Sequence, residues 1–212
     1  MRLLQAAILS GCLAFPTLAS GNSGDCPTGD DLGYGIVLER GDRSFVIPYV
    51  IKRRPDGVMV SRRRNPLFKS SWHVESVAGV FPLLSEDAAS ERILRESYRP
   101  EPGELLPFRE GMVSRYQGRR SDESGREQVF EYEVSVETGT DIAIGGCSYE
   151  TMLLRQRIAL SPDNGTQPPT QRVLYWSPEL NFVIAEDNPV SRFIRARRRG
   201  TFERLDWIYR AE

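Results

Sequence analysis

The sequence has 212 residues, with 28 basic and 29 acidic side chains and a formal net charge of −1 at pH 7. This length suits one domain and is enough to bury a hydrophobic core. Because the charges nearly balance, there is no overall basic field, and the composition argues against a nucleic-acid partner.

The first twenty residues, MRLLQAAILSGCLAFPTLAS, are typical of an export signal. Arg2 supplies the basic start, an apolar run follows, and the small residues Thr17 and Ala19 suit a signal peptidase. We therefore predict a signal peptide over residues 1–19, cleaved after Ala19, and a periplasmic or secreted protein. A membrane-spanning helix needs about 20 mainly apolar residues. Polar residues interrupt this run, so we expect no transmembrane span in the mature chain.

Cys12 offers a second interpretation of the same segment. The run Leu9-Ser10-Gly11-Cys12 matches the lipobox of bacterial lipoproteins, in which the cysteine is acylated and becomes the mature N-terminus. In that case the protein would be anchored to a membrane through a lipid on Cys12.

The other two cysteines, Cys26 and Cys147, form an even pair for an oxidising compartment. We predict a disulfide between them that closes a loop of about 120 residues and ties down an N-terminal extension over residues 20–33. The alternatives are a redox pair or metal thiolates. Because there is no C-x-x-C motif and only one histidine, we expect no metal and no cofactor.

Alternation of apolar and polar residues predicts strands along most of the chain. Residues 34–64 are predicted to form a three-stranded meander, with a turn at Pro55-Asp56-Gly57. Residues 72–81 are predicted as a strand. Residues 85–98 are predicted as a short helix, because Ser85 can cap it and Pro100 lies just beyond it.

From Gly111 onward the strand pattern is stronger. In one strand Phe130, Tyr132, Val134 and Val136 alternate with polar residues, which predicts a buried face and a solvent face. The predicted strands cover residues 112–118, 128–137, 149–160, 172–176, 181–185, 192–197 and 201–209. Residues 34–212 are thus expected to form a single, mainly β domain with one short helix.

Two segments within residues 141–185 resemble a family of small exported bacterial proteins of unknown function. They are Ile144-Gly145-Gly146-Cys147-Ser148-Tyr149-Glu150 and Leu174-Tyr175-Trp176-Ser177-Pro178-Glu179-Leu180-Asn181-Phe182-Val183. The resemblance implies an open or half-barrel antiparallel sheet, strongly curved, with helical cover. Such a fold is similar to periplasmic lipoprotein carriers, which hold acyl chains on a concave face.

His73 is the one histidine, and it lies in Ser70-Ser71-Trp72-His73-Val74-Glu75. Glu75 shares its strand face and could orient it as a general base, with Ser70 or Ser71 as nucleophile. This pattern is the basis for an alternative function as a periplasmic hydrolase. The simpler interpretation is a hydrogen-bonded or solvated surface histidine.

Basic residues cluster at the predicted strand ends of the meander. Because arginine forks suit phosphate and carboxylate groups, these residues are candidate contacts for an anionic lipid or a cell-wall polymer. The alternative is ordinary solvated charge at turns. The candidates are Arg53, Arg54, Arg62, Arg63, Arg64 and the nearby His73, with a further basic run at residues 195–199.

The sequence therefore favours an exported cell-envelope protein that acts as a non-enzymatic binding or assembly factor. Its curved sheet would hold an apolar ligand or dock an envelope protein partner. The alternatives are the hydrolase that uses His73 and a structural protein that pairs through an exposed sheet edge.

Overall fold

The computed structural model describes residues 26–41, 46–65, 70–161, 168–186 and 193–198. The predicted signal segment with Cys12 and the predicted strand 201–209 lie outside the described residues. The described chain is built of β-strands and turns, with short 3-10 turns at Gly29–Gly33 and Pro102–Leu105. None of its described helical turns has the length and apolar character needed to cross a bilayer.

Most of the strands belong to one large antiparallel sheet. In chain order the strands are β1 (Ile36–Gly41), β2 (Val46–Arg53), β3 (Met59–Asn65), β4 (Ser70–Val77), β5 (Phe81–Asp87), β6 (Arg92–Arg99), β7 (Val113–Asp122), β8 (Glu127–Thr138), β9 (Ile142–Ile144), β10 (Cys147–Tyr149), β11 (Met152–Leu160), β12 (Thr170–Ser177), β13 (Phe182–Glu186) and β14 (Phe193–Arg198). Twelve of them pair in the order β13-β12-β11-β8-β7-β6-β5-β4-β3-β2-β1-β14, and β9 with β10 forms a separate hairpin. The predicted mainly β, open antiparallel sheet is confirmed.

The meander predicted over residues 34–64 is confirmed as β1, β2 and β3. Its second turn has the predicted chemistry, because Gly57 adopts φ +85° and its N–H donates to the carbonyl of Arg54 at 3.0 Å. The meander then continues strand by strand to β8. Neighbours in sequence are therefore neighbours in the sheet over this whole stretch.

The helix predicted over residues 85–98 is wrong. These residues form the end of β5, a turn and β6. The Asp87 carboxylate accepts hydrogen bonds from the Ala89 N–H at 3.0 Å and the Ser90 hydroxyl at 2.9 Å, which stabilises a turn instead of starting a helix. Glu91 then adopts φ +51°, which reverses the chain. The apolar residues of segment 85–98 are too few to give a helix one buried face against the sheet.

Two predicted strands are each split by a turn. The strand predicted over residues 72–81 ends at Val77, because Ala78 and Gly79 both take positive φ angles before β5 starts. The strand predicted over residues 149–160 is divided between β10 and β11. In both cases the pattern identified the strands correctly but missed the break.

The structure has two hydrophobic cores, and both include side chains from the face of the sheet that carries Ile36, Ile51 and Leu154, here called the inner face. The first core lies at the β1–β3 end and includes Ile36, Leu38, Ile51, Met59, Ile142, Ile144, Tyr149, Leu180, Phe182 and Ile184. The second core lies along β7–β12 and includes Phe81, Phe108, Tyr116, Tyr132, Val134, Val136, Leu154, Leu174 and Trp176. Tyr132, Val134 and Val136 are buried as the alternation predicts, whereas Phe130 is only partly buried and packs against the second core.

The sheet rolls up so that β13 lies between the two cores. Phe182 and Ile184 belong to the first core, whereas Val183 packs against the second. Since β13 and β1 lie near opposite ends of the strand order, this contact requires strong curvature of the sheet. The turn at Gly79 closes over the β13 edge, where a Cβ on that glycine would come within 2.6 Å of the Phe182 ring.

The N-terminal extension is held against the hairpin of β9 and β10. Cys26 and Cys147 lie at disulfide distance, with their Cα atoms 5.5 Å apart. The Tyr149 hydroxyl donates to the carbonyl of Pro27 at 3.0 Å, and Leu32 is fully buried in the first core. The cysteine pair therefore lies beside a second, non-covalent attachment.

Gly118 makes room for the stacked tyrosines of the second core. An added Cβ would lie 2.6 Å from the Tyr132 ring and 3.2 Å from the Tyr98 ring. We expect Gly118→Ala to lower the free energy of unfolding by about 1–3 kcal/mol through overpacking, measured by urea denaturation. The control is Gly103→Ala, because no atom lies within 4 Å of a Cβ added at Gly103. Neither Gly103 nor Gly118 has a positive φ, so the two substitutions differ mainly in packing. Equal effects of the two substitutions would contradict this account.

The cysteine pair should contribute to stability through the long loop that it closes. The two residues are 121 positions apart, for which the chain-entropy model gives up to about 4–5 kcal/mol. We expect reduction to lower the urea midpoint of the wild type and to leave a Cys26→Ala/Cys147→Ala variant unchanged. Identical unfolding curves for oxidised and reduced wild type would exclude the bond.

Candidate functional site

The arginines of the two basic clusters predicted in the meander, at residues 52–54 and 62–64, lie on both faces of the sheet. The register pairs Arg62 with His73 and pairs Arg63 with Trp72. Because neighbours along a strand point to opposite faces, Arg62 lies on the outer face and Arg63 on the inner face. Arg53 is also on the inner face, where it donates to the carbonyl of Gly29 at 3.1 Å. Arg64 lies in β3, and its backbone is opposite Ser71.

A chain of hydrogen bonds on the outer face links β3, β4 and the turn after β2. Arg62 Nε donates to His73 Nδ1 at 3.0 Å, and His73 Nε2 lies 3.3 Å from Glu75 Oε1. Arg54 Nη1 donates to Glu75 Oε2 at 2.9 Å and also pairs with Asp56. We call this set, Arg62, His73, Glu75 and Arg54, the histidine chain.

The partners of His73 decide its tautomer. A guanidinium can only donate, so Nδ1 has to accept from Arg62 and carries no proton in this arrangement. Nε2 then carries the proton and donates to Glu75. Both ring nitrogens are engaged, and the His73 ring is fixed in orientation.

This geometry does not assemble a hydrolytic triad. Ser71, His73 and Glu75 lie on one strand face, as the sequence predicts, but a nucleophilic serine needs one imidazole nitrogen free to take its proton. Arg62 occupies that nitrogen. No hydrogen bond joins His73 to Ser70 or Ser71 among the described residues.

A groove of about 350 Å³ lies beside His73 at the turn between β5 and β6. Its lining includes Ser71, His73, Glu86, Glu91, Ile93 and Glu123. The described residues contain no group of three or more His, Cys, Asp or Glu side chains placed to hold a metal ion.

Arg63 lies between two aromatic rings on the inner face. Its Nη1 donates to the Tyr49 hydroxyl at 3.0 Å, and its guanidinium carbon is 4.5 Å from the centre of the Trp72 ring. Cation–π contacts fix the side chain and leave its positive charge in place. Trp72 remains 37% exposed, so this stack borders solvent.

Sequence reasoning missed a buried polar cluster on the inner face of β6–β8. The Glu96 side chain is only 6% exposed. It accepts from the Tyr98 hydroxyl at 2.7 Å and from Arg120 at 2.8 Å. Burial, with the nearby Glu96 charge, raises the pKa of Tyr98 above its usual range and raises that of Tyr132 to about 12. Because residues 85–98 were predicted as a helix, the position of Glu96 and Tyr98 on one strand face was not anticipated.

Gln156 is a second residue that the sequence did not single out. It interrupts the apolar stripe of β11, is buried, and donates from Nε2 to the Tyr116 hydroxyl at 2.7 Å. Burial raises the pKa of Tyr116 above its usual range. The only sequence signal was a polar residue at a position where alternation predicts an apolar one.

The tautomer of His73 can be tested directly, because it is the only histidine in the chain. At pH 8 we expect long-range ¹H–¹⁵N spectra to show the proton on Nε2 and a non-protonated Nδ1. Removing the donor in Arg62→Ala should let the tautomer ratio relax towards a mixture. A wild-type ring with its proton on Nδ1 would disprove the arrangement.

Comparison with protein-family models, with curated proteins and with solved structures finds no match for this chain.

Proposed function

We propose that this chain is an exported, non-enzymatic binding protein of the bacterial envelope, which contacts anionic lipid headgroups through the outer face of β2 and β3. The observation that carries this proposal is the Arg62 side chain. Its Nε is fixed by neutral His73, and its two terminal nitrogens have no partner among the described residues. A guanidinium held in this way offers a pre-oriented fork to phosphate oxygens.

The partners of the other arginines support this choice. Several arginines of β7, β11 and β12 are neutralised by glutamates. The pairs are Arg115 with Glu133, Arg119 with Glu127, Arg155 with Glu137, and Arg172 with Glu186. Arg62, in contrast, has a neutral partner, so its charge is not cancelled locally. Lys52 shares the outer face of β2 and forms no ion pair within the described part of the chain.

A surface of many anions suits this site better than a single enclosed ligand. Arg62 is exposed on the face of a sheet, where its terminal nitrogens can meet a planar array of headgroups. Near an anionic membrane each basic side chain contributes about 1 kcal/mol. Several modest contacts of this kind would give reversible attachment.

Export is part of the proposal and rests on the sequence of residues 1–19. The cysteine pair at disulfide distance is what an oxidising compartment would favour. Cleavage after Ala19 would release a free periplasmic or secreted protein. Acylation at Cys12 would instead tether the chain beside the lipids that we propose as its ligand.

The other candidate functions receive less support from the geometry. A hydrolase would need a free nitrogen on His73, which Arg62 occupies. An acyl-chain carrier would need an empty concave face, whereas the described inner face holds two packed cores. Pairing through a sheet edge has to avoid β13, since the Gly79 turn lies against it.

The test uses vesicles that contain phosphatidylglycerol, with binding measured by co-sedimentation at low salt. We expect Arg62→Gln to weaken binding about fivefold, which corresponds to one lost basic contact. Arg115→Gln is the matched control, because it removes the same charge from an 81% exposed arginine that is already paired with Glu133. An equal loss in both variants, or no binding by the wild type, would refute the proposal.

A further inference from the structure

A small pocket opens on the inner face near the turns that join β5 to β6 and β7 to β8. Its volume is about 190 Å³, below the 300–1,000 Å³ typical of sites for drug-sized ligands. It is lined by Arg92, Leu94, Arg120, Asp122, Arg126 and Gln128. Three arginines from adjacent strands and one turn, together with one acidic residue, Asp122, therefore line a space suited to a small polar group.

Arg120 is the pre-oriented member of this lining. Its Nε and Nη2 both lie 2.8 Å from Glu96 Oε1, and its guanidinium carbon is 4.8 Å from the centre of the Phe130 ring. These contacts fix the side chain, which is 33% exposed. Its Nη1 has no hydrogen-bond partner among the described residues and remains available.

Arg92 and Arg126 form no ion pair within the described part of the chain. Two acids lie near them: Asp122 lines the pocket and its charge interacts with Arg126, and Asp87 lies opposite Arg92 in the register. Asp122 Oδ1 accepts from the N–H groups of Ser124 and Arg126, each at 3.0 Å, and from the Ser124 hydroxyl at 2.6 Å. The Asp87 carboxylate is likewise bound within its own turn.

The carboxylate of Asp122 supports the pocket rather than filling it. Its hydrogen bonds to Ser124 hold its pKa below the usual range, so it stays ionised and keeps the turn closed. That turn carries Arg126 and leads into β8, where Gln128 lies opposite Arg120. The register and this turn thus place Arg120 and Arg126 in one lining, and Arg120 keeps Nη1 after Glu96 has taken its Nε and Nη2.

We propose that this pocket binds a tetrahedral oxyanion, namely a phosphate or sulfate group, through Arg92, Arg120 and Arg126. A planar carboxylate is satisfied by one or two guanidinium forks. A phosphate group offers three or more acceptor oxygens in different directions, which three arginines from separate positions can meet. The site is on the opposite face from Arg62, so it extends beyond the membrane-contact function and does not depend on it.

The experiment titrates the full chain with inorganic phosphate at low ionic strength, followed by calorimetry and backbone amide shifts. We expect millimolar or tighter binding, with shifts at residues 92–94 and 120–128. Arg92→Gln/Arg126→Gln should weaken binding at least tenfold, because the variant loses two of the three positive charges that line the pocket. Because Arg92 and Arg126 are both exposed, their substitution should not disturb the core. An unchanged melting temperature would show that the variant is folded.

The matched control is Arg115→Gln/Arg119→Gln, which removes the same charge from two outer-face arginines that are already paired. It should bind phosphate as the wild type does. Equal weakening in this control, or no saturable binding by the wild type, would overturn the proposal. Competition by glycerol 3-phosphate would indicate a soluble phosphate ester, and competition by phosphatidic acid vesicles would indicate a lipid headgroup.

Discussion

The structure depends on the burial of β13 between two hydrophobic cores. Phe182 and Ile184 pack into one core and Val183 into the other, although β13 is formally an edge strand. This arrangement is possible only because the sheet rolls up and brings β1–β3 round to the far side of β13. The close approaches at Gly29 and Gly79, where a Cβ would clash with Glu179 and Phe182, follow from the same roll.

The roll also decides which parts of the inner face remain accessible. Towards the cores the inner face is filled by stacked rings, with Tyr116 and Tyr132 at 4.7 Å between centroids. Further along the same strands, near the turns, the side chains become polar and charged, and Arg120 and Glu96 occupy adjacent positions. One sheet face therefore changes from hydrophobic core to polar pocket within a few residues of each strand. The apolar packing provides a rigid support for the polar end.

The chemical character of each arginine follows from its neighbour on the adjacent strand. Arg115 faces Glu133 and is neutralised, whereas Arg62 faces His73 and keeps its charge. Arg63, the next residue along β3, points to the other face and stacks on Trp72. Three arginine environments thus arise from register and alternation alone. A count of basic residues could not distinguish them.

The sequence by itself determined the strand-rich class, the first meander, the apolar stripe of β8 and the prediction that Cys26 pairs with Cys147. These features depend on local alternation, on turn residues such as Gly57, or on the count of cysteines. Tertiary structure alone decided that residues 85–98 pair as strands, that the sheet rolls round β13, and which partner each arginine meets. The reason is physical: a thin apolar stripe such as Ile93 and Leu94 can serve either a helix or a strand. Only contacts between residues far apart in the chain select between them.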